Sequence, residues 1–182
     1  MSDPLDLARA AMAGLPMLRG DPVRLGGMTN LVFRVGPHVL RIPGKGTEEY
    51  IDRANEAVAA QEAARAGVSP EVVHADPGTG LMVTRLIDGA VTMSPEAFRT
   101  RPGAPARAGE VFRRLHGAGA AFPFRFELFG MIDGYLGVLA TKDVALPDGY
   151  HDIVREAAAI RSLLGRDPPP LVASHCDPLC EN

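Results

Sequence analysis

The sequence predicts an α+β chain of two lobes: an antiparallel five-stranded sheet with one inserted helix, then a mainly helical lobe. Three observations predict it. Short runs rich in apolar and β-branched residues follow one another at turn-length spacing from Val23 to Leu86. Between the third and fourth runs lies a stretch with helical apolar spacing. From Asp88-Gly89 onward, i, i+3, i+4 spacing replaces alternation. The change divides the chain into residues 1–87 and 88–182.

Ser2 with Pro4 opens a first helix, whose apolar positions are Leu5, Ala8, Met12 and Leu15, and Pro16 closes it. Val23–Leu25 is the first strand. Gly26-Gly27-Met28-Thr29-Asn30 leads into a second, Leu31–Val35, and the turn Gly36-Pro37 into a third, His38–Ile42. Strands joined this tightly form an antiparallel meander. Pro43-Gly44-Lys45-Gly46 ends the run, and Thr47 is placed to cap a helix that reaches about Ala66, with Gly67 after it. Two more strands, near Glu71–His74 and Leu81–Leu86, flank the turn Asp76-Pro77-Gly78-Thr79-Gly80. Ser94-Pro95-Glu96 starts the helical part. Ala108, Val111, Phe112 and Leu115 carry its apolar face to Gly117, and Tyr150 to Leu164 form another helix ending at Gly165. Leu171-Val172-Ala173 then reads as strand-like.

The composition is that of an ordinary soluble domain, with 46% hydrophobic and 23% charged residues and a net charge of −3. That charge gives no reason to expect a nucleic-acid partner. No apolar run approaches the ~20 residues that cross a bilayer, and Met1–Leu18 lacks the pattern of a signal peptide. Cys176 and Cys180 are too few for a disulfide framework or a zinc site, so a cytoplasmic protein with reduced thiols is expected.

His175-Cys176-Asp177-Pro178-Leu179-Cys180-Glu181-Asn182 fits H-x-D-x-x-x-x-N. In loops of this kind the Asp receives or orients a substrate hydroxyl proton and the Asn holds Mg²⁺ on a nucleotide. One short loop can supply both groups because the nucleophile and the metal lie only a few ångströms apart. Gly26-Gly27-Met28-Thr29-Asn30 lets backbone approach phosphate oxygens, with Thr29 and Asn30 adding donors, although a plain hairpin turn has the same residues. It is not a Walker loop, since no G-K-[ST] follows. Arg41 interrupts an apolar strand, either as an outward-facing residue or as a phosphate ligand with Glu56 of the next helix as its partner. Backbone groups of Arg85 and Ile87, where the two lobes join, either meet an adenine edge or belong to a plain edge strand and turn.

Taken in order, G-G-M-T-N, V-L-R-I-P-G-K-G-T, the helix with Glu56, V-T-R-L-I-D-G, R-L-H and H-C-D-P-L-C-E-N resemble the choline/ethanolamine kinase family. That family lies within the aminoglycoside-phosphotransferase-like group, with a protein-kinase-like fold. The resemblance implies ATP- and Mg²⁺-dependent phosphorylation of an amino alcohol. It implies Asp177 as catalytic base, His175 as a structural member of its loop, and Asn182 as a metal ligand. Arg41 with Glu56 would order the phosphates, with Gly27, Thr29 and Asn30 nearby. Related acceptors, such as an aminoglycoside, thiamine or a sugar, and a nucleotide-binding remnant without turnover, are the other readings. The family's second metal-binding aspartate and its ammonium-binding residues follow the catalytic loop, so the resemblance also implies a chain truncated at Asn182.

Overall fold

The computed structural model describes residues 3–27, 29–47, 51–120, 122–142 and 144–180. The chain groups into two compact units, one of residues Met1–Phe124 with Ala173–Asn182 and one of Arg125–Val172. The change from strands to helices at residue 87 falls inside the first unit.

The first unit opens with α1 (Pro4–Met12), capped by the Asp3 side chain, which accepts the Leu5 N–H. The sheet is built from β1 (Val23–Gly26), β2 (Leu31–Val35), β3 (His38–Ile42), β4 (Val72–Ala75) and β5 (Met82–Arg85), in the order β1-β2-β3-β5-β4. Every pairing is antiparallel, and β1 and β4 each carry an irregularity, at Arg24/Gly26 and Val72/His74. The strand bounds agree with the predicted ones to within one residue. The reason is local: period-2 alternation states which side chains share a face. Phe33, Val35, Leu40 and Val83 are fully buried and meet Ala8, Leu15 and Leu18 from the α1 segment. Each large side chain buried in this way stabilises the fold by roughly 1.5–3 kcal/mol.

Alternation along β3 then matters for the site. Leu40 enters this core, so its neighbour Arg41 stands on the opposite face of the sheet. That face looks toward α2 (Arg53–Arg65), which packs beside β4 and buries none of its own side chains fully. The cap of α2 is Asp52, whose carboxylate accepts the Asn55 N–H. Thr47, expected as the cap, is buried instead in the loop before the helix.

The helical run after Ser94 is divided into α3 (Pro95–Thr100) and α4 (Ala104–Gly117), because Pro102-Gly103 cannot continue a helix and Gly103 has a left-handed φ of 71°. The second unit holds α5 (Leu128–Ala140) and α6 (Tyr150–Leu164). Arg161 joins them through a 2.7 Å bond to Asp133 and lies 5.8 Å from the Phe129 ring centroid. Leu171–Ala173 is not a strand; Leu171 and Val172 are exposed. Among the described residues, no helix is long and apolar enough to cross a membrane.

Candidate active site

The predicted cation and acid meet. Arg41 Nη2 lies 2.7 Å from Glu56 Oε1, both side chains being mostly buried. The strand presents Arg41 on the α2 face, and Glu56 sits in the first turn of α2, where the helix dipole also favours a carboxylate. The approach is an ion pair but is not aligned as a hydrogen bond. Among the described residues, Nε and Nη2 of Arg41 have no hydrogen-bond acceptor, although both atoms are buried. Nη2 is compensated by the Glu56 charge, while Nε is buried without an acceptor among the described residues. A cation held by a helix carboxylate on this face is suited to a phosphate.

Arg53, which the sequence reading missed, completes the cluster. Its Nη1 bonds Glu56 Oε2 at 2.9 Å, and its Nη2 bonds the Thr47 hydroxyl. The missed signal was the i, i+3 spacing of Arg53 and Glu56 on a helix. The Thr47 hydroxyl donates to the Gly44 carbonyl at 2.7 Å. Gly44 N–H in turn reaches Asn30 Oδ1 at 3.4 Å, so the loop after β3 lies against the glycine-rich segment before β2. The approach is too close for any other residue at Gly44, where a Cβ would collide with the Thr29 carbonyl. Gly27 is constrained twice, by a φ of 103° and by the Asn30 carbonyl, which a Cβ would strike. Thr29 is exposed, and Met28 lies outside the described residues.

The segment predicted to meet adenine is partly committed. Arg85 N–H donates to the Glu71 carbonyl at 2.9 Å, so this donor is already taken. The Arg85 side chain lies 3.4 Å from His38 Nε2 and 3.5 Å from Glu71. Ile87 is exposed, and its carbonyl accepts the Ala90 N–H at 3.3 Å.

The H-x-D loop belongs to the same compact unit. Asp177 N–H donates to His175 Nδ1 at 3.3 Å, which places the proton of a neutral ring on Nε2. The His175 ring sets its edge against Phe112 of α4, with centroids 6.2 Å apart, and Phe112 stacks on His116. His116 is exposed. Cys176 has a φ of 66°, a left-handed conformation that is uncommon for a non-glycine residue and that turns the chain sharply just before Asp177. Leu179 N–H closes the turn onto the Asp177 carbonyl at 2.9 Å. Asn182 lies outside the described residues. Among the described residues, no group of three His, Cys, Asp or Glu side chains gathers as a metal site. Two surface concavities, of about 340 and 380 Å³, are lined by Leu146–Asp152 and by Arg65, Arg113, Arg114 and their neighbours, and contain none of these residues.

Known proteins with similar structures give the lineage. A choline/ethanolamine kinase family protein from Mesorhizobium loti is 66% identical, with a TM-score of 0.88 over 99% of this chain and 60% of its own. The choline kinase LicA from Streptococcus pneumoniae is 20% identical, with a TM-score of 0.75 over 100% of this chain and 64% of its own. LicA in complex with AMP aligns with a TM-score of 0.77 at 18% identity. A GDP complex of aminoglycoside 2'-phosphotransferase-IIIa is 16% identical, with a TM-score of 0.55 over 90% of this chain and 60% of its own. No protein-family model and no curated protein matches the chain. The chain thus spans about three-fifths of the length of the structures it resembles. Its sheet, inserted helix and following helices have the α+β, protein-kinase-like fold of these proteins. At 66% identity over nearly its whole length, the chain belongs to the choline/ethanolamine kinase family.

Proposed function

We propose that the protein transfers the γ-phosphoryl group of ATP, in a Mg²⁺-dependent reaction, to the hydroxyl of choline or ethanolamine. The observation that carries the phosphate reading is Arg41, a cation on the α2 face of the sheet whose Nη2 is held 2.7 Å from Glu56 Oε1 and whose Nε is buried without an acceptor among the described residues. The amino-alcohol acceptor rests on the family and on the LicA likeness.

In this reading Arg41 binds phosphate oxygens, and its guanidinium fork suits them better than a point charge would. The glycine-rich segment, held by Gly44 and Asn30, brings backbone N–H groups of Gly27 and Thr29 toward the same anion. Asp177 receives the proton of the substrate hydroxyl as its oxygen bonds to the γ-phosphorus and the bond to the β-phosphate oxygen breaks, releasing ADP. His175 supports that loop by accepting the Asp177 N–H. The rate gain comes from positioning and charge neutralisation, with no covalent enzyme intermediate. When bound, Mg²⁺ supplies charge neutralisation at the phosphates. The described residues do not assemble its site by themselves, and Asn182 is the ligand expected from the motif.

The test is ADP release by the full-length protein with Mg²⁺-ATP and, in turn, choline, ethanolamine, thiamine and kanamycin. Choline- or ethanolamine-dependent release is expected. Asp177→Asn should lower it by about 10²–10⁴-fold, the usual contribution of general acid–base catalysis, while leaving ATP affinity in place. Release with kanamycin alone would reassign the acceptor, and ATP binding without turnover on any acceptor would make the protein a nucleotide-binding remnant.

A further inference from the structure

Glu56 divides its carboxylate between two arginines, and the division is uneven. Arg53 receives the aligned hydrogen bond at Oε2, whereas Arg41 stands beside Oε1 as an ion pair without that alignment. Arg53 is also the most buried of the three, its side chain 10% exposed against 20% for Glu56 and 28% for Arg41. Its stem packs against the β4–β5 turn so closely that a Cβ on Gly80 would strike its Cδ and Nε. The other face of its guanidinium bonds Thr47, and through Thr47 the backbone of Gly44.

A helical i, i+3 pair at the surface contributes only a few tenths of a kcal/mol. Arg53 is a different case. Desolvating a guanidinium is costly, and one ion pair does not by itself repay it. What the burial secures is geometry, because a planar fork can bond a helix carboxylate and a loop hydroxyl at fixed angles. From this arrangement we infer that Arg53 is a positioning residue for nucleotide binding. It holds Oε2 of Glu56 and so fixes the carboxylate whose Oε1 sets the Arg41 guanidinium. It also fixes the Pro43–Thr47 loop against the glycine-rich segment. It does not touch the nucleotide. The inference rests on the reading of Arg41 as a phosphate ligand.

The experiment is calorimetric titration of the full-length protein with ATP and, separately, with adenosine, each in the presence of Mg²⁺. Arg53→Met should bind ATP about tenfold more weakly or worse, the scale of a lost charge-assisted hydrogen bond, while its affinity for adenosine stays that of the wild type. Arg53→Lys keeps the charge beside Glu56 and loses the fork, so it should weaken ATP binding less. Thr47→Val removes both the Arg53 link and the Thr47–Gly44 hydrogen bond, so it should also weaken ATP binding while leaving adenosine affinity in place. Should Arg53→Met fail to fold, Arg53→Lys carries the test. ATP affinity unchanged in Arg53→Met and in Arg53→Lys would overturn the inference. So would an equal loss for ATP and adenosine, which would make Arg53 general structural support. A wild-type protein that binds no ATP would sink the phosphate reading itself, and this outcome is seen before any variant is made.

Discussion

Replacing Gly44 by alanine tests whether the two loops of the site touch as closely as the geometry requires. The new Cβ would overlap the Thr29 carbonyl, a backbone atom that cannot rotate away, so the β3–α2 loop and the glycine-rich segment must separate. Overpacking of this kind costs about 1–3 kcal/mol. The separation also breaks the long Gly44–Asn30 hydrogen bond, a loss of about 1 kcal/mol at most. Because Lys45 and Gly46 beside it are exposed, part of the clash is relieved by outward movement. A net cost of about 2 kcal/mol then follows, which for a chain of this size lowers Tm by about 4–8 °C. In the proposed reading Thr29 and Asn30 lie beside the phosphates, so the separation should also lower ATP affinity. Differential scanning calorimetry and ATP titration of Gly44→Ala read both effects. Gly14→Ala is the control, since a Cβ there meets nothing within 4 Å and should be nearly neutral. A Gly44→Ala protein that melts within about 1 °C of the wild type and binds ATP equally well would refute the loop contact.

Two further predictions concern the scaffold. Leu40 is fully buried between β2 and β5, so Leu40→Ala should lose about 2–5 kcal/mol, read as a lower urea midpoint with an unchanged slope; a midpoint equal to the wild type would remove this residue from the core. Asp76 has its pKa held below the ordinary carboxylate value, chiefly by the Thr79 hydroxyl and then by the Gly78 N–H. Thr79→Val should raise it in an NMR titration. A carboxyl group whose folded pKa is depressed contributes above its unfolded pKa and loses that contribution as pH falls through the folded value. The charge-linked part of the stability gap between wild type and Thr79→Val should therefore close on acidification, and a gap that widens toward acid would contradict the assignment.

The sheet was legible because each strand states its own faces through alternation, and because turns such as Gly36-Pro37 and Asp76–Gly80 leave the chain few other routes. Helix α5 was not legible. Gly130, Gly134 and Gly137 lie inside it, each costing about 1 kcal/mol against alanine, and no side chain caps its start. Its tie to α6 comes from Arg161, 28 residues beyond Asp133, a distance that no local pattern spans. The break at Arg101–Gly103 is set by Pro102-Gly103, a pair that cannot continue a helix although the apolar spacing on either side is continuous. Leu171–Ala173 shows the converse. An apolar run suits a strand, but whether one forms is decided by tertiary placement, which composition does not report.

For the site, residue types and spacing determined the candidates: a cation in an apolar strand, an acid in the following helix, a glycine-rich turn and the H-x-D loop. Tertiary structure decided how they are shared. It placed Arg41 and Glu56 on the same side of the sheet, gave the aligned oxygen of Glu56 to Arg53, and turned Thr47 from an expected helix cap into the link between Arg53 and Gly44. The physical reason is that hydrogen bonds are directional and a carboxylate has two oxygens. Which donor faces which oxygen depends on the angle at which α2 crosses the sheet, and that angle is set by packing rather than by any local run of residues.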